Sequence, residues 1–364
     1  MSVATGQLRR ADKGDARCPD VSAVLPNYNH AEYLPAAVRA LACQQPPPAE
    51  IIVIDDASTD DSLEVLEALG REVVNLRVIR HETNAGVIAA LNRGLTEARG
   101  DLVYFGAADD VTAPGLIARL AGALARHPGA AFASGEARLV DMNDRALGIR
   151  PPVRPSQTER FFAAPQVIDL LRRCDNWILT GAALFRRELV IEAGGFTAAA
   201  RSFTDGLLAR HLALKAGFVY VPAVFVTWRV NPEGYSRSAT SEVETARHTI
   251  ANMRELIAAD PLFPSWYPEL LERRWRFAVG RIAVSEAGPA GAEVLTGFCA
   301  RNKTDRMVYR VASRLGLRAG RVVSLGWLFW RERPLLMRDM LLTRLFRHLG
   351  DNRATRNLDF NGRR

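Results

Sequence analysis

The sequence predicts an α/β fold, with a mostly parallel sheet flanked by helices and a mainly helical C-terminal region. Between residue 21 and about residue 132, short apolar runs alternate with segments whose apolar residues recur every three or four positions. Short connections between such units favour parallel strands covered by helices on both faces. We therefore divide the chain into a flexible N-terminus (1–20), an α/β domain (21–240) and a helical, basic C-terminal region (241–364).

Five apolar runs predict the first strands. They are Val21–Leu25, Ile51–Asp55, Leu76–Ile79, Leu102–Phe105 and Ala130–Ala133. Four sets of apolar residues with helical spacing lie between them: Leu34, Val38 and Leu41; Leu63, Leu66 and Leu69; Val87, Leu91 and Leu95; Leu116, Leu120 and Leu124. Each set fits a helix with one buried face.

A charged, proline-containing segment, residues 142–165, interrupts the alternation and is predicted to be a long loop. The block that follows is predicted to complete the domain. It contains a strand over Ile178–Phe185, a Gly194-Gly195 turn, a helix over Asp205–Ala216, and two strands around Val219 and over Val224–Val230.

Composition indicates a folded globular protein, with 364 residues of which 48% are hydrophobic and 24% charged. The four cysteines have no paired spacing, which argues against a zinc site or a disulfide framework and favours a reducing compartment. The N-terminus lacks the apolar core of a secretory signal, and no apolar run reaches the roughly 18–20 residues of a spanning helix. We expect a cytoplasmic protein.

The positive charge is concentrated near the C-terminus, where residues 271–364 contain 20 Lys and Arg against 8 Asp and Glu. Such asymmetry indicates a polyanionic partner, and we expect no nucleic acid because no recognisable nucleic-acid-binding module is present. Tryptophan, leucine and arginine mix in this region, as in helices that lie in the plane of an anionic bilayer. Examples are Trp327, Trp330, Leu335, Leu336 and Phe346. The alternative is a helical subdomain packed on the α/β domain.

Two adjacent carboxylates, Asp109 and Asp110, follow the predicted strand Leu102–Phe105. In open α/β sheets, ligands bind outside the carboxyl ends of the strands. Hard oxygen donors there suit a divalent cation that carries a diphosphate. For a bare pair of aspartates, a solvated turn or a helix cap is the alternative.

Several blocks occur in one order along residues 20 to 240. They are residues 22–29 (SAVLPNYN), 50–60 (EIIVIDDASTD), 84–87 (NAGV) with 92–94 (NRG), the Asp109-Asp110 pair, 180–187 (TGAALFRR), 194–196 (GGF) and Thr204-Asp205. Together they resemble the family 2 glycosyltransferases, an inverting group with a GT-A fold. No single block is specific, but chance does not readily produce all of them in this order.

The resemblance implies a site for a nucleotide-sugar donor. In the family, the tyrosine of the first block stacks near the nucleobase and the second aspartate of the next block holds the base, which here are Tyr28 and Asp56. Asp55 is expected to be structural. The substrate-binding residues predicted on this basis are Pro26, Tyr28, Asn29, Asp56, Asn84, Gly86, Asn92 and Asp109.

The resemblance also implies a metal site at Asp109 and Asp110, where one carboxylate orients the ribose and the other binds Mn²⁺ or Mg²⁺ bridging both phosphates. Family members often have a further aspartate at the position of Ala107, and we expect the pair alone to suffice. Trp228-Arg229, at the end of the last strand, could line the diphosphate site.

Asp205 resembles the catalytic base, although a glutamate commonly precedes that base where this chain has Thr204. A position at a helix N-terminus favours an ionised carboxylate, as a base requires. The alternative is an ordinary N-cap.

These observations predict an inverting, metal-dependent transferase that moves a sugar from a UDP- or dTDP-sugar to a growing bacterial surface glycan or glycolipid. The acceptor would be a glycan or a lipid-linked glycan, reached in the cytoplasm or by peripheral contact with the cytoplasmic face of the inner membrane. One alternative is transfer to polyprenyl phosphate. Another, motivated by Ala107 and Thr204, is a catalytically impaired sugar-nucleotide-binding subunit. A nucleotidyltransferase is disfavoured because residues 26–29 form no glycine-rich loop.

Overall fold

The computed structural model describes residues 19–174, 177–231, 243–286, 289–333, 339 and 341–347. The predicted flexible N-terminus therefore lies almost wholly outside the described residues. The α/β part contains β1 (Val21–Asn27), α1 (Leu34–Ala42), β2 (Glu50–Asp55), α2 (Ser62–Glu72), β3 (Leu76–Arg80), α3 (Val87–Glu97), β4 (Leu102–Phe105), β5 (Val111–Thr112), α4 (Leu116–Arg126), β6 (Phe132–Val140), β7 (Ala146–Arg150), β8 (Arg160–Phe162), α5 (Ala164–Arg173), β9 (Ala183–Arg186), α6 (Arg187–Glu192), α7 (Thr204–Ala216) and β10 (Phe218–Arg229).

These strands form one sheet in the order β3-β2-β1-β4-β9-β6-β10-β5, with β7 beside β6 and β8 beside β10. The four strands β3, β2, β1 and β4 are parallel, as predicted. The long strands β6 and β10 also pair parallel to each other. Antiparallel pairing is confined to short ladders, in which β9 joins β4 to β6 and the strands β5, β7 and β8 pair with β10 or β6.

The two faces of the sheet are covered by different helices. Ala23 and Leu25 belong to a buried cluster with residues of α1, α2 and α4, whereas Val24 belongs to the opposite cluster with residues of α3, α5 and α7. This is the alternation expected along a strand buried on both faces. The predicted α/β class is confirmed, and its helices begin within about two residues of the predicted patterns.

Three predictions about residues 142–230 were wrong in detail. Residues 142–165 contain two short strands, β7 and β8, which pair with β6 and β10. The predicted strand Ile178–Phe185 is shortened to β9, because a 3₁₀ turn forms over Thr180–Ala182. The two predicted strands after α7 are one strand, β10, whose register shifts between Tyr220 and Val226, around Pro222.

The C-terminal region is helical, as predicted. Its helices are α8 (Val243–Ala259), α9 (Tyr267–Glu286), α10 (Pro289–Val294), α11 (Lys303–Ala312) and α12 (Leu317–Glu332). Residues such as Met253, Trp275 and Leu328 share one buried cluster with α3, α5 and α7. The region is therefore packed on the α/β part. None of the helices among the described residues is long and apolar enough to cross a membrane.

Glu136 anchors the end of the chain to the sheet. Its side chain is fully buried in β6 and accepts hydrogen bonds from the guanidinium groups of Arg154 and Arg347 and from the hydroxyl of Tyr220. The backbone N–H of Arg154 also donates to the Thr343 hydroxyl, at 3.1 Å. Residues 341–347 thus pack against β6 and the segment that follows β7.

Candidate active site

The predicted site residues lie at the carboxyl ends of the parallel strands. At the end of β1, the Asn27 amide donates to Oδ1 of Asp55 at 2.9 Å, and the Ser58 N–H donates to Oδ2 at 3.1 Å. The Asp55 carboxylate is completely buried. Its contacts hold the ends of β1 and β2 together, as expected for a structural residue.

Asn29 shapes the loop after β1. It has the left-handed φ of 57°, and its side-chain oxygen accepts the N–H of Thr59 at 2.8 Å. Its own N–H donates to the Ser58 hydroxyl at 3.0 Å. The neighbouring Tyr28 is 44% exposed, which leaves its ring open for stacking, and Pro26 is half-buried in β1.

Asp56 organises the loop before α3. Its Oδ1 accepts the N–H of Ala85 at 2.8 Å and lies 2.7 Å from Nδ1 of His81, while Oδ2 accepts the N–H of Gly86 at 2.7 Å. Gly86 has a φ of 88°, which favours glycine, and its N–H also contacts Oδ1 of the exposed Asn84. A carboxylate offers about four acceptor positions, so these three contacts leave one of them unused. His81 had no role in the sequence prediction, because nothing in its spacing points to Asp56.

Asn92 contacts the protein rather than the open site. Its amide nitrogen donates to the Phe196 carbonyl at 2.7 Å, and its amide oxygen accepts the Phe196 N–H at 2.9 Å. Gly195 has a φ of 71°, and a Cβ there would lie 2.5 Å from the Asn92 oxygen. Asn92 thus fixes the Gly194-Gly195-Phe196 turn to α3, and its predicted contact with substrate stays a prediction.

Asp109 and Asp110 follow β4, as predicted, and are followed directly by β5, which was not predicted. Oδ1 of Asp110 accepts the backbone N–H of Arg229 at 3.0 Å, which fixes the carboxylate against the end of β10. Burial raises the pKa of Asp110 well above its ordinary value, the charge of Asp109 adds to this, and Arg229 opposes it. Asp109 makes no side-chain hydrogen bond or ion pair with any other residue that the structure describes.

This pair fits a divalent cation that arrives with a diphosphate. Such an ion needs only one or two carboxylates, because phosphate oxygens and waters complete its shell. A cation would also relieve the repulsion between the two carboxylates and the cost of burying Asp110. Within the described ranges no group of three or more His, Cys, Asp or Glu side chains could form a complete protein cage.

The 3₁₀ turn Thr180–Ala182 connects this pair to Asp205. The Tyr104 hydroxyl donates to the Gly181 carbonyl at 2.9 Å, and a Cβ on Gly181 would lie 3.8 Å from Oδ2 of Asp110. On the other side of the turn, the Thr180 hydroxyl donates to Oδ2 of Asp205 at 3.2 Å. The two predicted chemical groups therefore flank one short segment.

Asp205 lies in the first turn of α7, as predicted, but it is not the N-cap, because Phe203 occupies that position. Oδ1 accepts the N–H of Gly206 at 2.6 Å, and the guanidinium of Arg210 donates to the Gly206 carbonyl. Burial raises the pKa of Asp205, while Gly206, Thr180 and Arg210 oppose the shift. Burial therefore raises the pKa of Asp205, whereas the sequence alone predicted only the opposite effect of the helix N-terminus.

Arg229 closes the site at the end of β10. Its guanidinium lies over the Tyr33 ring at 5.1 Å and pairs with Asp144 at 2.7 Å. The side chain is only 12% exposed, and its backbone holds Asp110. These contacts bring the loops after β1, β4 and β6 together, as expected if Arg229 lines the diphosphate position.

The fold gathers carboxylate and amide groups at the carboxyl ends of its parallel strands, and sequence comparison indicates the class of protein. Residues 22–192 match the family described as glycosyl transferase family 2. The Bacillus subtilis protein described as uncharacterized glycosyltransferase YwdF is 28% identical over 219 residues, or 60% of this chain and 77% of YwdF. The succinoglycan biosynthesis protein ExoU of Rhizobium meliloti is 32% identical over 152 residues, or 42% of this chain and 41% of ExoU.

Two solved structures have a similar fold. Residues 1–349 of S. aureus TarS in complex with UDP-GlcNAc give a TM-score of 0.57 at 17% identity, covering 86% of this chain and 92% of that one. The Pyrobaculum calidifontis mannosyltransferase PcManGT in complex with GDP-Man and Mn²⁺ gives a TM-score of 0.51 at 21% identity, covering 87% of this chain and 88% of that one. The family match covers residues 22–192, and over this part the chain is similar to the family 2 glycosyltransferases. The protein is a glycosyltransferase with the GT-A fold.

Proposed function

We propose that the protein is an inverting, metal-dependent glycosyltransferase that moves a sugar from a UDP- or dTDP-sugar to a growing bacterial surface glycan or glycolipid. The observation that carries this proposal is the Thr180–Ala182 turn, which adjoins Asp110 on one side and bonds Asp205 on the other. A transferase needs its leaving group and its base at opposite ends of one reacting centre, and this turn spans the two candidate groups.

The donor would bind along the carboxyl ends of β1, β2 and β4. The exposed Tyr28 ring can stack on the nucleobase, and the free acceptor position of Asp56 can receive a base N–H. TarS and PcManGT, which have similar folds, are described in complex with UDP-GlcNAc and GDP-Man. These complexes support a nucleotide-sugar donor for this chain.

Asp110 and Asp109 would hold Mn²⁺ or Mg²⁺ with the diphosphate oxygens. When bound, the ion supplies Lewis acidity that stabilises the negative charge on the departing nucleoside diphosphate. The protein itself fixes Asp110 through the Arg229 N–H, and the Arg229 side chain adds positive charge beside the same position. The Mn²⁺ in the PcManGT complex supports this assignment.

Asp205 would act as the base. Its carboxylate takes the proton of the acceptor hydroxyl while that oxygen bonds to the anomeric carbon and the carbon–diphosphate bond breaks. Attack opposite the leaving group inverts the anomeric centre in a single step. Because Thr180 and Gly206 hold both carboxylate oxygens of Asp205, the base is oriented before substrate arrives.

The acceptor is proposed from the relatives, since ExoU is described as a succinoglycan biosynthesis protein. A growing surface glycan or a lipid-linked glycan would be met in the cytoplasm, or at the cytoplasmic face of the inner membrane by a peripherally bound enzyme. The C-terminal region, with its excess of basic residues, is consistent with the second location.

A donor panel tests the proposal. UDP-, dTDP- and GDP-sugars would be assayed for nucleotide release in Mn²⁺, in Mg²⁺ and in a chelator, followed by NMR of the product anomer. We expect release from a UDP- or dTDP-sugar that depends on the metal, and a product with inverted configuration. Metal-independent release or a retained configuration would contradict the proposal.

A further inference from the structure

Helices α11 and α12 expose an apolar surface that nothing else in the described part of the chain covers. The two helices pack on each other, with Asp305 of α11 bonded to Trp327 and Arg331 of α12. Their outward side chains include large apolar groups with high exposure. These are Met307 (60%), Val311 (48%), Val322 (71%), Val323 (38%) and Trp330 (57%), together with Leu315 (49%) in the turn between the helices.

The charges of the same two helices are segregated. Both acidic residues between 303 and 333, Asp305 and Glu332, are buried, and they pair with Arg331 and Arg301. Six basic residues face outward and make no side-chain hydrogen bond or ion pair with another described residue: Lys303, Arg306, Arg310, Arg314, Arg318 and Arg333. The outer surface of the helix pair therefore carries positive charge among apolar groups, and the compensating acids face inward.

We propose that these six apolar and six basic residues, on α11, on α12 and at the ends of the two helices, form the surface by which the enzyme binds an anionic lipid bilayer. We call this surface the basic-apolar face. Arginine and lysine interact with lipid head groups, while tryptophan and aliphatic side chains enter the boundary between head groups and acyl chains. The inference does not depend on the proposed donor, metal or base. It would bring the active site close to an acceptor carried on a lipid.

Charge selects the bilayer over a second copy of the chain. Two basic-apolar faces brought together would place twelve unpaired cations in one interface, with no exposed acid between residues 303 and 333 to neutralise them. An anionic bilayer supplies the missing negative charge and an apolar phase for Trp330 and Val322. A nucleic acid would neutralise the cations but would leave those exposed apolar side chains without a partner.

Contacts made by the C-terminal residues determine which variants can test this proposal. Deleting the chain from Leu317 onward would remove the fully buried Leu328 and the Arg347 partner of buried Glu136. Such a deletion would disturb the catalytic part as well as the surface. Substitutions of exposed side chains in the full chain avoid this problem.

The experiment measures sedimentation of the full-length protein with vesicles of phosphatidylglycerol and phosphatidylcholine, and with vesicles of phosphatidylcholine alone, across a salt series. We expect binding to the anionic vesicles that weakens with salt.

Each basic residue near such a surface strengthens binding about fivefold. The triple variant Arg306→Gln, Arg310→Gln, Arg314→Gln should therefore bind about 10²-fold more weakly at low salt. A matched control removes three exposed arginines from the catalytic part: Arg71→Gln, Arg93→Gln, Arg172→Gln.

The apolar contribution is tested with Val322→Ser and Trp330→Ser together, against Val74→Ser and Ile191→Ser, which replace exposed apolar residues elsewhere. The first pair should remove the binding that persists at high salt, and the control pair should not. Nucleotide release without vesicles should be unchanged in all four variants, which separates this inference from the proposed reaction.

Three results would overturn the inference: no binding of the wild type to anionic vesicles at low salt, equal losses in the control variants, or a wild-type dimer that the Val322→Ser, Trp330→Ser pair converts to a monomer. The last result would assign the face to a second copy of the chain.

Discussion

The Thr180 hydroxyl donates to Oδ2 of Asp205 at 3.2 Å, from a turn whose next residue, Gly181, lies beside Asp110. This bond opposes the rise in pKa that burial imposes on Asp205. The threonine therefore orients the proposed base and helps to keep it ionised. It also couples the position of the base to the position of the proposed metal ligand through a single peptide unit.

Replacing Thr180 with valine should move the acidic limb of the kcat–pH profile to higher pH. Loss of the hydroxyl removes a stabilising contact from the carboxylate only, so the pKa of Asp205 should rise further. A base must be ionised, so activity should fall most on the acid side. Near neutral pH we expect a loss of roughly tenfold, corresponding to a hydrogen bond of about 1.5 kcal/mol.

Thr180→Ser is the matched control, because it keeps the hydroxyl and should restore the wild-type profile. An acidic limb that does not move in Thr180→Val would show that the bond has no influence on the base.

Asp110→Ala should lower turnover by about three orders of magnitude or more, if the lost interaction is made with a metal-bound diphosphate in the transition state. Asp110→Asn keeps an acceptor for the Arg229 N–H, so it separates loss of charge from loss of loop structure. We expect both variants to be impaired, to need more Mn²⁺ for half-maximal activity, and to melt close to the wild type. Normal activity of Asp110→Ala, or full wild-type activity in a chelator, would exclude the metal site.

Glu136→Ala should lower the free energy of unfolding by about 3–5 kcal/mol, because it leaves Arg154 and Arg347 without their buried partner. Urea denaturation measures this effect. An exposed control is Glu67→Ala, whose pair with Arg71 lies on the surface and should contribute under about 0.5 kcal/mol. Equal effects of the two substitutions would mean that the C-terminal segment is not anchored as described.

The contacts of Glu136 also predict how the stability of the fold depends on pH. Burial alone would raise the pKa of Glu136, but the bonds from Arg154 and Arg347 prevail and hold it below its ordinary value. A carboxyl with a lowered folded-state pKa stabilises the fold above its unfolded pKa and loses that contribution as the pH falls through the folded value. The wild type should therefore lose more stability on acidification than Glu136→Gln, measured by urea titration at several pH values.

Local patterns in the sequence were sufficient for the parallel half of the sheet. The β4 strand was predicted to the residue, because Leu102–Phe105 is a short, fully buried apolar run. The Ile178–Phe185 run misled the prediction because its first half is bent by contacts that come from distant residues, Tyr104 and Asp205. Alternation cannot reveal such contacts.

The same limit applies to the candidate site, where the sequence predicted the positions of residues but not their distant partners. Positions such as Asp110 and Asp205 followed from strand and helix ends together with the family resemblance. Partners such as His81 for Asp56 and Phe196 for Asn92 lie 25 and 104 residues away in the chain, and no spacing rule connects them. The amides of Asn29 and Asn92 hold loops that line the site, and their predicted contact with substrate stays a prediction.

The most direct test of the proposed function is the turnover of Asp205→Asn, measured together with its affinity for the nucleotide-sugar donor. Asparagine keeps the shape of the side chain and can still accept a hydrogen bond, but it cannot take the acceptor's proton. We predict a fall in kcat of at least about 10²-fold, with donor affinity and melting temperature close to those of the wild type. A variant that retains kcat but melts at a lower temperature would show that Asp205 only stabilises the start of α7, and would contradict its assignment as the base.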